Sequence, residues 1–141
     1  MKEQLTTFNT AKLAKKKGFW IKDSYRFDLK DKATICIGGT NIDKELKDIY
    51  FNKGVPGLGH TQKDLAIVVT QSLLQKWLRE KHKININIGW VYGDNYKRAD
   101  WYYNVKGINL HNNNLMPHNQ HRFRTYEKAL EEGLKQALKL I

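Results

Sequence analysis

The run "KININIGWVYGDNYKRADWYYNVKGI", Lys83 to Ile108, most narrows the folds open to this chain. Ile84, Ile86, Ile88, Trp90 and Tyr92 occupy alternate positions. In an extended chain successive side chains point to opposite faces, so these five share one face. Asn85, Asn87, Gly89 and Val91 take the other. A second strand from Ala99 to Ile108 groups Trp101, Tyr103 and Val105 against Asp100, Tyr102, Asn104 and Lys106. "GDNYKR" separates the two as a turn region. The pattern predicts an antiparallel hairpin with one apolar face and one polar face.

From Gly89 to Tyr103, six of fifteen residues are aromatic, with Lys97 and Arg98 among them. A base-stacking sheet needs its aromatics on the solvent face beside cations. Parity instead joins Trp90, Tyr92, Trp101 and Tyr103 to the isoleucines, so these four are expected in the core. That leaves Tyr96, Lys97 and Arg98 in the turn and Tyr102 and Lys106 on the outer face. Together they suit a phosphate and one stacked ring. For each residue the competing reading is an ordinary solvated side chain.

Helices supply the cover for the apolar face. "TQSLLQKWLREKH", residues 70–82, carries Leu73, Leu74, Trp77 and Leu78 on one stripe. Residues 126–141 repeat Tyr126, Ala129, Leu130, Gly133, Leu134, Ala137, Leu138 and Ile141 at spacings of three and four, and Thr125 is placed to cap them. "LTTFNTAKLAKKK", residues 5–17, is a third, shorter helix with Thr6 or Thr7 as cap and Gly18 as stop. Its Lys15, Lys16 and Lys17 read as a solvated helix end that suits the dipole. Two short strands are expected around Phe27 and Ile35 with "KDK" as their turn, and "DKELKDIYF" as a short helix. Gly54 to His60 reads as a loop, and "DLAIVV" as either a backward extension of the central helix or a separate buried segment. The fold class is α+β in a single domain, 1–141. It comprises a small antiparallel sheet with the N-terminal helix, the central helix 70–82 and the C-terminal helix 126–141 on one face.

Composition enters through charge. Lys and Arg number 25 against 14 Asp and Glu, a net charge of +11. Such a field attracts polyanions. The longest apolar run, Leu65 to Val69, is too short to cross a bilayer. "MKEQLTTF" lacks a signal-peptide core, and the lone Cys36 cannot form an internal disulfide, so a cytoplasmic location is expected.

Motifs for chemistry are sparse. His111, His118 and His121 share a loop, but that loop offers no Asp, Glu or Cys to complete a metal site. Arg122 and Arg124 flank Phe123 and would share a face if extended, giving a basic edge. Cys36, between two isoleucines, reads as a small structural residue. Gly38 and Gly39 lack the Lys-Ser of a phosphate loop. Asp43 with Glu45, and Asp94 with Asp100, are carboxylate pairs without a visible partner to tune them. The expectation is therefore a non-enzymatic protein with no cofactor and no metal.

"TQSLLQKWLREKHKI", "TYEKALEEGLKQALKLI" and "FNTAKLAKKKGF" resemble a family of short uncharacterised proteins encoded by phages and mobile elements of Bacteroides and related gut bacteria. The resemblance covers structural segments at both ends and the middle helix. It implies a small phage accessory protein and carries no activity. The resulting expectation is a basic protein that binds a phosphate-bearing ligand, nucleic acid first, through Tyr96, Lys97, Arg98, Tyr102, Lys106, Arg122 and Arg124. The alternatives are sequestration of a small signalling nucleotide or of a host defence protein, and a role in the virion or its assembly.

Overall fold

Thr7, Thr70 and Thr125 start three helices in the same way. Each is extended in backbone, and each hydroxyl accepts a hydrogen bond from an N–H three residues on: Thr10, Leu73 and Lys128. That bond satisfies one of the donors a helix start leaves open. The computed structural model describes residues 3–21, 26–29, 34–36, 47–54, 65–93, 98–107 and 122–141. In chain order the elements are α1 (Phe8–Lys16), β1 (Arg26–Leu29), β2 (Thr34–Cys36), a π-helical turn (Ile49–Lys53), β3 (Leu65–Ala66), α2 (Gln71–His82), β4 (Ile84–Tyr92), β5 (Ala99–Gly107) and α3 (Tyr126–Lys139). The class is α+β, as the sequence predicts. The elements cluster into two units, one of residues 6–69 and one of residues 70–141 together with the chain up to Leu5.

In the 6–69 unit, β1 pairs antiparallel with both β2 and β3, in the order β2-β1-β3. The "DLAIVV" segment is thus a short buried strand in which Leu65 and Ala66 are fully covered. Tyr50, Leu65 and Ile67 form the core, with Trp20, Ile21, Ile49, Phe51 and Val69 packed on it. Gly18, at a positive φ of 81°, ends α1, and the Phe19 N–H returns to the Ala14 carbonyl. One expectation is corrected here: Lys15 is not solvated. Its Nζ donates to the Leu65 carbonyl at 3.0 Å and lies 4.3 Å from the centroid of the Tyr50 ring. The stem is buried because α1 packs on β3, and the ammonium finds an oxygen and a π face there.

The Tyr50 hydroxyl accepts a 3.1 Å hydrogen bond from the Ile67 N–H in this core. Burial pushes the phenol well above its ordinary pKa, against the opposing pull of that N–H. Tyr50→Phe would leave the Ile67 donor buried without a partner. Urea unfolding should therefore show a loss of about 1–3 kcal/mol, at unchanged m-value.

In the other unit, α2 passes into β4 with no loop. Lys83 takes the left-handed conformation, φ 57°, and its N–H returns to the Leu78 carbonyl. β4 and β5 pair antiparallel along their full length, with Ile86 opposite Val105, Ile88 opposite Tyr103 and Trp90 opposite Trp101. α3 lies on this face through Ala129, Leu130, Gly133, Leu134, Ala137 and Leu138, all buried. On α2 the buried stripe is Gln71, Leu74 and Leu78, while Leu73 is exposed and Trp77 half-buried. The expected Leu73–Trp77 edge is displaced because Gln71 faces α3. The Gln71 amide donates to Glu131 Oε2 at 2.9 Å and to the Glu127 carbonyl at 3.1 Å.

The main correction concerns the aromatic face. Ile84, Ile86, Tyr103 and Val105 are buried as parity requires, but Trp90 and Tyr92 are 52% and 59% exposed and Trp101 is half-buried. Parity names the face that α3 covers, although on the opposite face of β5 Asp100 and Asn104 are buried as well. What fails is the length of the cover. A helix of α3's size is about 20 Å long, whereas a strand like β4 extends about 30 Å. α3 begins at Tyr126, whose ring meets Trp101 at 5.6 Å between centroids, and the hairpin continues past it.

Candidate functional site

The outer face of the hairpin begins from a buried carboxylate. Asp100 is 5% exposed. Arg98 Nε lies 3.3 Å from its Oδ1, and Arg122 Nη1 lies 3.9 Å from its Oδ2. The second arginine arrives because residues 122–124 run alongside β5. Trp101 and Phe123 exchange both backbone hydrogen bonds at 2.8 Å. Phe123 then falls beside Tyr103, with ring centroids 6.0 Å apart, and Arg122 is on the outer side against Asp100, while Arg124 follows where the chain bends. Each guanidinium keeps N–H donors beyond those turned to Asp100.

Tyr102 and Lys106 lie on the same outer face, four residues apart on β5. The Tyr102 ring tip sits over Gly89: a β-carbon there would come 2.5 Å from Tyr102 Cζ. Only glycine permits that approach, so Tyr102 is half-buried where a free stacking ring was expected. Lys106 and Arg124 are exposed. Arg98, Tyr102 and Arg122 are thus brought to one side at the start of β5, Arg124 is exposed nearby in the chain, and Lys106 stands further along the strand. Tyr96 and Lys97 lie outside the described residues, as do Gly38, Gly39, Asp43, Glu45, Asp94, His111, His118, His121 and residues 55–60.

Comparison with protein-family models, curated proteins and solved structures gives no match.

Sequence reasoning missed two features. The first is Asp100: Arg98, two residues before it on the same face, was read only as a turn cation, and Arg122 reaches it from a separate segment. The second is the aromatic end of the inner face. Trp90 and Tyr92 meet edge to face at 5.2 Å, interplanar angle 90°, and Trp101 and Tyr126 do the same at 5.6 Å and 89°. Comparing the length of the C-terminal helix with that of the strands would have signalled it.

A cavity of about 440 Å³ opens at the other end of the hairpin, lined by Lys81, His82, Lys83, Ile84, Gly107, Leu140 and Ile141. His82 stands edge-on to Trp77, 4.6 Å between centroids, and its Nε2 is buried without a hydrogen-bond partner among the described residues. Burial, and secondarily the Lys81 charge, lower its pKa and favour the neutral ring. Among the described residues no group of three His, Cys, Asp or Glu could hold a metal. No helix there is long and apolar enough to cross a membrane.

Proposed function

We propose that this chain is a small, non-enzymatic accessory protein of phage type that binds nucleic acid through phosphate contacts. The observation that carries the reading is the pair of arginines gathered at the buried Asp100, with the exposed Arg124 two residues after Arg122. Asp100 neutralises one of the two charges and draws both side chains toward it. Planar guanidinium forks held in this way suit phosphate oxygens. The net charge of +11 supplies the long-range attraction.

The test uses the exposed cations that hold no part of the fold. Fluorescence anisotropy with labelled oligonucleotides should show affinity falling steeply with salt. Lys106→Gln and Arg124→Gln should each weaken binding and shallow the log–log salt slope by roughly 0.7 to 0.9 per lost phosphate contact. Absence of binding at low salt, or affinity indifferent to salt, would defeat the reading.

The cavity favours a second reading, a small anionic nucleotide held by Lys81 and Lys83 against His82. A nucleotide panel in a thermal-shift assay separates the two. One compound raising the melting temperature where long oligonucleotides do not would support the cavity.

A further inference from the structure

We propose that Trp90, Tyr92, Trp101 and Tyr126 form a platform on which unpaired bases stack, so that the nucleic acid taken is single-stranded. This rests on the nucleic-acid reading above and adds the form of the ligand. The four rings form two pairs on one face of the hairpin. Tyr92 meets Trp90, Trp90 stands opposite Trp101 in the strand register, and Trp101 meets Tyr126. Trp90, Tyr92 and Tyr126 are all exposed. Directly opposed side chains on one face of a sheet are neighbours, so the two pairs lie side by side.

The pair geometry suits stacking. In an edge-to-face pair, the ring that contributes its edge spends neither of its flat faces on its partner. A flat face is what an unpaired base covers, and every base offers one. Bases inside a duplex stack on one another, about 3.4 Å apart along each strand, and have no such face to give.

Charge selects this occupant over a second copy of the chain. Two copies of a chain that carries +11 in all would repel as they approach. A nucleic acid brings the opposite sign. Arg98 precedes Ala99, the register partner of Tyr92, and its carbonyl accepts the Gly93 N–H at 2.8 Å to close the hairpin end. Arg124 lies between Phe123, bridged to Trp101, and Tyr126. The Arg98 side chain turns to Asp100 on the opposite face, so the field of the whole chain, and not a guanidinium beside the rings, supplies the attraction.

The experiment titrates the full chain with labelled oligothymidylate and with a duplex of equal length at low salt, reading anisotropy and tryptophan emission. Oligothymidylate should bind more tightly and quench the emission. Trp90→Ala and Tyr92→Ala should each weaken oligothymidylate by roughly tenfold or more and leave the duplex unchanged. Trp90→Phe should keep most of the affinity, because it retains a ring. Equal affinity for the two ligands, with no loss in Trp90→Ala, would overturn the platform and leave the phosphate-contact reading standing. Binding of neither ligand would remove both. A concentration-dependent dimer abolished by Trp90→Ala would assign the face to a second copy and overturn the proposal.

Discussion

Replacing Arg98 and Arg122 together with alanine is expected to cost about 3 kcal/mol of folding stability, read by urea denaturation. The Asp100 carboxylate is only 5% exposed, and these two guanidiniums are the cations that reach it among the described residues. A charge left in a poorly hydrated site without a counterion is one of the few single causes of a loss that large. Either substitution alone leaves one partner, and both arginines are about half exposed, so each should cost only about 1 kcal/mol. The double variant should therefore lose more than the two singles together, the sign of a shared partner. Adding Asp100→Asn should recover most of the loss by removing the stranded charge. A double variant as stable as the parent would show that Asp100 reaches water by another route. The same logic explains why Lys106 and Arg124 are the better probes of phosphate binding: neither is held on Asp100.

Gly133→Leu is expected to cost a similar amount, about 3 kcal/mol, for a steric reason. A β-carbon at Gly133 would lie 2.8 Å from Ile86 Cγ2 and 3.2 Å from Tyr103 Cβ. Both neighbours are buried, and neither atom is the far end of a flexible side chain. The helix must then lift from the sheet, uncovering Ile86, Tyr103 and Val105. Leucine is the better helix former by about 0.5–1 kcal/mol, so intrinsic propensity works against the predicted loss and cannot be its cause. A denaturation midpoint at or above that of the parent would mean that α3 can ride higher on the hairpin than its glycine implies.

Both predictions concern contacts between residues remote in sequence, and so does most of what the sequence left unread. The hairpin was legible because the period of two in Ile84 to Tyr92 is a local property of the backbone. The three helices were legible because a threonine cap and a three-and-four spacing are local as well. The short strand Leu65–Ala66 was ambiguous, since an apolar run of that length suits a helix end equally well. Lys15 was misread because a lysine run fits a solvated helix end. Its burial depends on the Leu65 carbonyl, fifty residues away. Among the anion-site candidates, the sequence named Arg98, Tyr102, Lys106, Arg122 and Arg124. It could not see that two of these close on one aspartate or that Tyr102 lies across Gly89.

The amino-acid order by itself determined which residues share a face, where the helices begin, and the sign of the field around the chain. These follow from backbone periodicity, from capping hydrogen bonds within one turn, and from a count of charges. Only the tertiary structure decided how far along the hairpin the C-terminal helix reaches, and hence that Trp90 and Tyr92 meet solvent while Ile86 and Val105 do not. The reason is one of length. Alternation tells a side chain which way to point, but whether anything lies there depends on where a separately capped element starts, and α3 starts at Tyr126, beside Trp101 and short of the hairpin's end.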